Sequence, residues 1–127
     1  MISKPKGELT IQTLAMPADT NANGDIFGGW LVSQMDLAAG VLAKKIAKGR
    51  VATVAIHSMT FLKPVHVGDV VSCHAELLKQ GRTSMTIAVE VWSEELGSGH
   101  KYRVTEGTFV FVAINEHGKP RPVEDKA

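Results

Sequence analysis

The stretch that most constrains this chain runs from Thr20 to Lys48, TNANGDIFGGWLVSQMDLAAGVLAKKIAK. Asn21, Asn23 and Gly24 open it with residue types that tolerate the left-handed or kinked backbone of a tight loop. Asp25 follows where a helix N-cap is expected, its carboxylate able to accept a hydrogen bond from a first-turn N–H. No proline interrupts the run from there, and Phe27, Leu31, Met35, Ala38, Leu42 and Ile46 recur at helical spacing. The opposite stripe, Gly29, Ser33, Asp36, Gly40 and Ala43, is small at every position but one. Between Ile26 and Ala43, Asp36 is the only charged residue. A helix apolar nearly all round belongs in an interior, and this one takes a single carboxylate with it.

A buried, unpaired carboxylate costs on the order of several kcal/mol, so Asp36 needs a partner or a purpose. The structural alternative is an acid satisfied by backbone N–H groups. The functional one requires a cleft, and Gly29, Ser33 and Gly40 leave room for it. Gly28 and Gly29 fall in the first helical turn, where unpaired N–H groups and the positive end of the dipole favour a developing oxyanion. Without side chains there, a ligand carbonyl can reach the backbone. Acid and glycines together read as a site.

The other residues narrow the class. At 127 residues and 44% hydrophobic, the chain is one ordinary domain with a real core. A net charge of +1 and the lack of a basic run argue against nucleic acid as a partner. The single cysteine, Cys73, excludes an internal disulfide framework; packing in a strand is its expected role. None of the five histidines is spaced around it like a metal motif, so no metal is expected. No signal peptide opens the chain and no apolar run spans a membrane, which points to the cytoplasm.

Along the chain, residues 1–7 read as a flexible start and 116–127 as a polar surface tail. Glu8 to Met16 alternates as a strand, with Leu9 and Ile11 opposite Thr10 and Gln12. The long helix follows, with Gly49 expected as its left-handed C-terminal stop and Lys44, Lys45 and Lys48 against its negative end. The period then changes to two. Strands are expected over 50–63, 69–80, 83–95 and 100–115, the third alternating strictly from Thr83. Gly107, mid-strand, predicts a bulge or a close approach. Short turns imply an antiparallel meander of these four strands, and such a sheet buries the helix only by curling around it.

That strand, helix, four-strand order resembles the hot-dog fold, an α+β arrangement in which a five-stranded antiparallel sheet wraps one long central helix. The segment LAMPADTNANGDIFGGWLVSQMD narrows the resemblance to the YciA-type acyl-CoA thioesterases, and GRVATV, FLKPVHVGD and GRTSM are also placed as in that family. The similarity runs from about Glu8 to Asn115, so 8–115 is expected to be the thioesterase domain. It implies hydrolysis of acyl-CoA in fatty acid metabolism, with the catalytic acid at Asp36 and its asparagine partner at Asn21. It also implies edge-to-edge dimers with the site between two protomers, and further assembly into a homohexamer. No cofactor is implied, since coenzyme A enters as part of the substrate.

For that chemistry, amides near Gly28 and Gly29 would polarise the thioester carbonyl while Asp36 serves as general base or as nucleophile. Asn21, contributed by the partner protomer, would orient the water or the carboxylate, although a plain turn role suits it too. The Gly81, Arg82, Thr83 and Ser84 turn offers a cation and hydroxyls for CoA phosphates, ahead of Lys63 and Lys79. His57 and His74 read as strand histidines rather than reactants. Two rivals remain. A hot-dog hydratase or dehydratase would use a histidine, which NANGDIFGG lacks; a non-catalytic acyl-CoA sensor would bind without turnover.

Overall fold

The computed structural model describes residues 4–124. Its elements are β1 (Glu8–Leu14), a 3-10 turn (Pro17–Asp19), α1 (Gly28–Ala47), β2 (Val51–Phe61), β3 (Val70–Gln80), β4 (Ser84–Glu94) and β5 (Lys101–Ala113). All five strands join one antiparallel sheet in the order β1-β3-β4-β5-β2. The expected five strands and one helix are therefore present, but the meander is shorter than expected. Only β3, β4 and β5 follow each other through hairpins; β2 crosses to the far side and pairs with β5. The connection over 62–69 is long enough for that crossing, and β1 and β2 become the sheet's edges.

The helix lies against the sheet and touches every strand. Leu31, Met35, Ala38, Ala39, Ala43 and Ala47 are its buried line. They meet Met85, Ile87, Val89 and Val91 of β4 together with Val71, Cys73, Phe109 and Phe111 in one core. Gly107 explains itself here. A Cβ on it would come within 2.8 Å of Met59 Cε and 3.3 Å of Met35 Cε, so it marks a close approach. The bulge is there as well: between the His57–Thr108 and Thr60–Glu106 pairs, Ser58 and Met59 of β2 stand against the single Gly107. Burial pushes the Cys73 thiol up to about 12, which fits its expected packing role.

Several local expectations are corrected. Phe27, not Asp25, is the N-cap, and it caps without a side-chain bond. Asp25 sits two residues earlier and takes part in the loop instead, its carbonyl accepting from Asn21 N–H at 2.7 Å. The left-handed residue closing α1 is Lys48 (φ 54°), with its N–H on the Lys44 carbonyl; Gly49 is not the stop. The helix is not buried all round in the protomer. Gly29, Ser33 and Leu37 are exposed, Leu37 by 59%. Leu9, assigned with Ile11 to one side of β1, is also exposed, because the register shifts between them.

Both ends are tied down further than composition suggests. Lys6 N–H donates to Glu90 Oε1, and Gly7 (φ 95°) lies directly on the Ala75 carbonyl; residues 1–3 of the expected flexible start fall outside the described residues. The tail, expected on the surface, folds back as far as Val123, which is buried. Val123 N–H donates to the Arg82 carbonyl, and Arg121, 7% exposed, reaches the Ala47 carbonyl at the end of α1. Residues 125–127 of that tail are outside the described residues. No helix among the described residues is long and apolar enough to cross a membrane.

Candidate active site

The loop before α1 is built by Asn21. Its Oδ1 accepts from the N–H groups of Asn23 (2.8 Å) and Asp25 (3.2 Å), and its carbonyl accepts from Gly24. The turn role is therefore real, and it leaves the side-chain NH2 as the group Asn21 can offer outward. The loop's far end is pinned by Ile26 N–H on the Val65 carbonyl and Phe27 N–H on the Asp19 carbonyl. This delivers Gly28 and Gly29 as the first two residues of α1, whose amides have no acceptor within the helix. Side chains would crowd this corner: a Cβ on Gly28 would stand 3.3 Å from the Phe61 ring, and one on Gly29 3.1 Å from the Phe27 ring.

Asn21 and Gly28 line a cleft of about 390 Å³ with Asp25, Ile26, Leu31 and the Phe61–Val65 segment. Asp36 lines a different cleft, of about 480 Å³, between α1 and the ends of β2 and β5. Its walls are Leu37, Gly40, Val41, Val51, Phe111 and Ile114, with Lys44 and Arg50 as the cations. Asp36 is partly exposed rather than fully interior, which corrects the expectation of a carboxylate carried into the core. Among the described residues one donor meets it: Thr53 Oγ1, from β2, bonds Asp36 Oδ1 at 2.7 Å. Eight residues of helix separate Gly28 from Asp36, about 12 Å along the axis. One protomer thus holds the acid and the asparagine in separate clefts.

The remaining candidates are spread out. Gly81 N–H and Ser84 C=O close the β3–β4 turn at 2.9 Å, and a Cβ on Gly81 would stand 2.8 Å from Ser84 Oγ, so that hydroxyl would have to turn away. Arg82 is exposed. Through Thr83 C=O and Ala113 N–H, the turn sits at the sheet end where Ile114 N–H meets the Arg50 carbonyl. Neither Arg82 nor its neighbours Gly81, Thr83 and Ser84 line the Asn21 or the Asp36 cleft. Lys63 lines the Asn21 cleft and lies over the Tyr102 ring, 5.7 Å from its centroid. His57 is exposed on β2, and His74 Nδ1 is 3.4 Å from the Gly7 carbonyl.

Three residues at Asp36, namely Lys44, Arg50 and Thr53, had no part in the site as read from the sequence. Lys44 could have been found, since 36, 40 and 44 share one helical face. Arg50 and Thr53 belong to β2, and no local pattern shows that β2 returns beside α1 at this point.

A helix cradled by a five-stranded antiparallel sheet, with a lone acid on that helix and a glycine pair at its start, defines the hot-dog class. Comparison with known proteins agrees: residues 23–100 match the family model described as Thioesterase superfamily. The chain belongs to that superfamily, within its YciA-type acyl-CoA thioester hydrolases. The acyl-CoA thioester hydrolase YciA of Salmonella typhimurium is 57% identical over 126 residues, 97% of this chain and 95% of that one. A hexameric thioesterase from Yersinia pestis superposes with a TM-score of 0.92 at 58% identity, covering 96% of this chain and 99% of that one. An aspartate-to-alanine variant of a hexameric broad-specificity acyl-coenzyme A thioesterase gives 0.91 at 55%, covering 93% and 87%.

Proposed function

We propose that this chain is an acyl-CoA thioester hydrolase whose catalytic domain spans residues 8–115, converting acyl-CoA and water to free CoA and a carboxylic acid. The identity of 57% to a named acyl-CoA thioester hydrolase over nearly the whole chain supports the substrate. The observation that carries the chemistry is Asp36, a carboxylate on the wall of an open cleft with a hydroxyl donor, Thr53, on one oxygen.

In this mechanism the Gly28 and Gly29 amides stabilise negative charge developing on the thioester oxygen. Asp36 takes a proton from water as the water oxygen bonds to the carbonyl carbon. Alternatively the carboxylate attacks first, and water opens the resulting anhydride. Either way the carbon–sulfur bond breaks and the thiolate leaves without needing a strong acid. Asn21 of a partner protomer donates through its NH2, since its oxygen is occupied in its own turn. The separation of Asn21 from Asp36 within one chain, and the exposed Gly29–Ser33–Leu37 side of α1, favour a site completed by a second copy.

The Gly81–Ser84 turn, with Arg82, would hold CoA phosphates. Assembly is as a homohexamer built from dimers, like the hexameric relatives. No cofactor takes part beyond CoA itself, and the compartment is the cytoplasm. Incubation with acyl-CoA and a thiol reagent tests the function: free CoA should appear in step with carboxylic acid. Tight binding with no thiol released would make the chain a sensor; hydration of an enoyl-CoA with the thioester intact would make it a hydratase.

A further inference from the structure

After β5 the chain reverses and comes back to the turn that carries Arg82. Asn115 makes the reversal. Its carbonyl accepts from Gly118 N–H at 2.9 Å, and its Oδ1 accepts from the N–H groups of His117 (2.9 Å) and Lys119 (3.0 Å). Gly118, at φ 75°, takes the left-handed backbone this turn needs. Pro120 then bridges to Ile114, and the returning segment reads PRPV. Proline fixes φ and has no N–H, so Arg121 and Val123 are the main-chain donors of this segment. Both are used: Arg121 N–H reaches the Ala113 carbonyl at 2.9 Å, and Val123 N–H the Arg82 carbonyl at 2.8 Å. The Arg121 guanidinium fastens the segment further, donating to the carbonyls of Ile114, Pro122 and Ala47.

This strap completes the Arg82 turn. The Thr83 carbonyl is held by Ala113 of the sheet, whereas the Arg82 carbonyl is held by Val123. We propose that residues 114–123 are a positioning strap for CoA binding, in which Val123 N–H fixes the Arg82 main chain so that its exposed guanidinium meets the phosphates from an ordered turn. This rests on the phosphate role given to Arg82 under the proposed function. A cation on a loose turn gives up main-chain and side-chain freedom when it takes a phosphate; on a turn already fixed it gives up only the side-chain part. Neither Arg121 nor Val123 lines the Asn21 or the Asp36 cleft, so the strap bears on affinity and not on the chemical step.

The test is steady-state hydrolysis of one acyl-CoA, and of a thioester lacking the nucleotide, by Val123→Pro, Val123→Ala, Arg121→Ala, Arg82→Ala and the Arg82→Ala, Val123→Pro double variant. Light scattering checks the assembly of each. Val123→Pro removes the donor. It should raise KM for acyl-CoA by about threefold to tenfold, the scale of ordering one flexible residue on binding, with kcat held and no effect on the nucleotide-free thioester. Arg121→Ala frees the strap from the helix and should move KM in the same direction, which keeps the test open if Val123→Pro does not assemble. Val123→Ala trims the side chain but keeps the N–H, so its KM should return close to the parental value. On the Arg82→Ala background Val123→Pro should add nothing, because the strap acts through that residue. Parental KM in both strap variants would overturn the strap, as would a rise that persists without Arg82 or without the nucleotide; a raised KM in Arg82→Ala would still keep the anchor. Arg82→Ala at the parental KM would overturn anchor and strap together and leave the hydrolase reading in place.

Discussion

At the scale of the residue, Asp36 and Cys73 show how surroundings decide which reactive side chain a ligand can reach. Asp36 opens on a cleft, whereas Cys73 is sealed in the sheet with its ionisation pushed up to about 12 by burial. Cys73 should therefore ignore a thiol reagent in the native protein and react at once in denaturant; rapid native labelling would show that β3 opens readily. The sign of its linkage follows. An unfolded thiol ionises near 9.0 and the folded one keeps its proton, so stability should fall as pH rises from about 9 towards 12. Arg82 carries a separate prediction. If it anchors a CoA phosphate, Arg82→Ala should raise KM by the equivalent of about 1–3 kcal/mol and spare kcat. The effect should disappear with a thioester lacking the nucleotide. An unchanged KM with acyl-CoA would move the anchor to Arg50, Lys44 or Lys63.

Elements whose signals are local were legible in the sequence. The α1 pattern, the strict alternation of β4 and the crowded Gly107 each follow from spacing within one segment. What was hidden depends on partners distant in the chain. Nothing in RVATVAIHSMTFLK says that it pairs with β5 rather than β3, and so nothing showed Thr53 meeting Asp36. The cap at Phe27 was missed because tertiary bonds from Asp19 and Val65 hold the loop, replacing the side-chain cap that Asp25 would supply. The tail was misjudged because its charges and prolines mask one clamp, Arg121 on the last turn of α1. Arg121→Ala should lower unfolding stability by about 1.5–3 kcal/mol, the range for a hydrogen bond to a charged group. Denaturant melts showing no change would mean that the tail rests on the helix without holding it.

At the scale of the whole molecule, the protomer is visibly incomplete. The edge strand β2 exposes Val54 and Ile56 by 57% and 44%, beside an α1 face that exposes Leu37. Unpaired edges with apolar side chains call for a second sheet. Light scattering should report a hexamer, and a stable active monomer would contradict the composite site. That site also predicts complementation between defective copies. Inactive Asp36→Asn and Asn21→Ala protomers, unfolded and reassembled together, should regain up to about a quarter of parental activity by random pairing into two-fold dimers. No recovery would place Asp36 and Asn21 in one chain's site or remove Asn21 from it. The central claim, that Asp36 performs the hydrolysis, is tested most directly by the turnover of the intact Asp36→Asn assembly. Asparagine is nearly isosteric, so folding, assembly and CoA affinity should hold while kcat falls by at least about a hundredfold, the lower range for a positioned acid–base group. A folded, CoA-binding Asp36→Asn assembly that keeps most of its hydrolysis rate would show that Asp36 is structural.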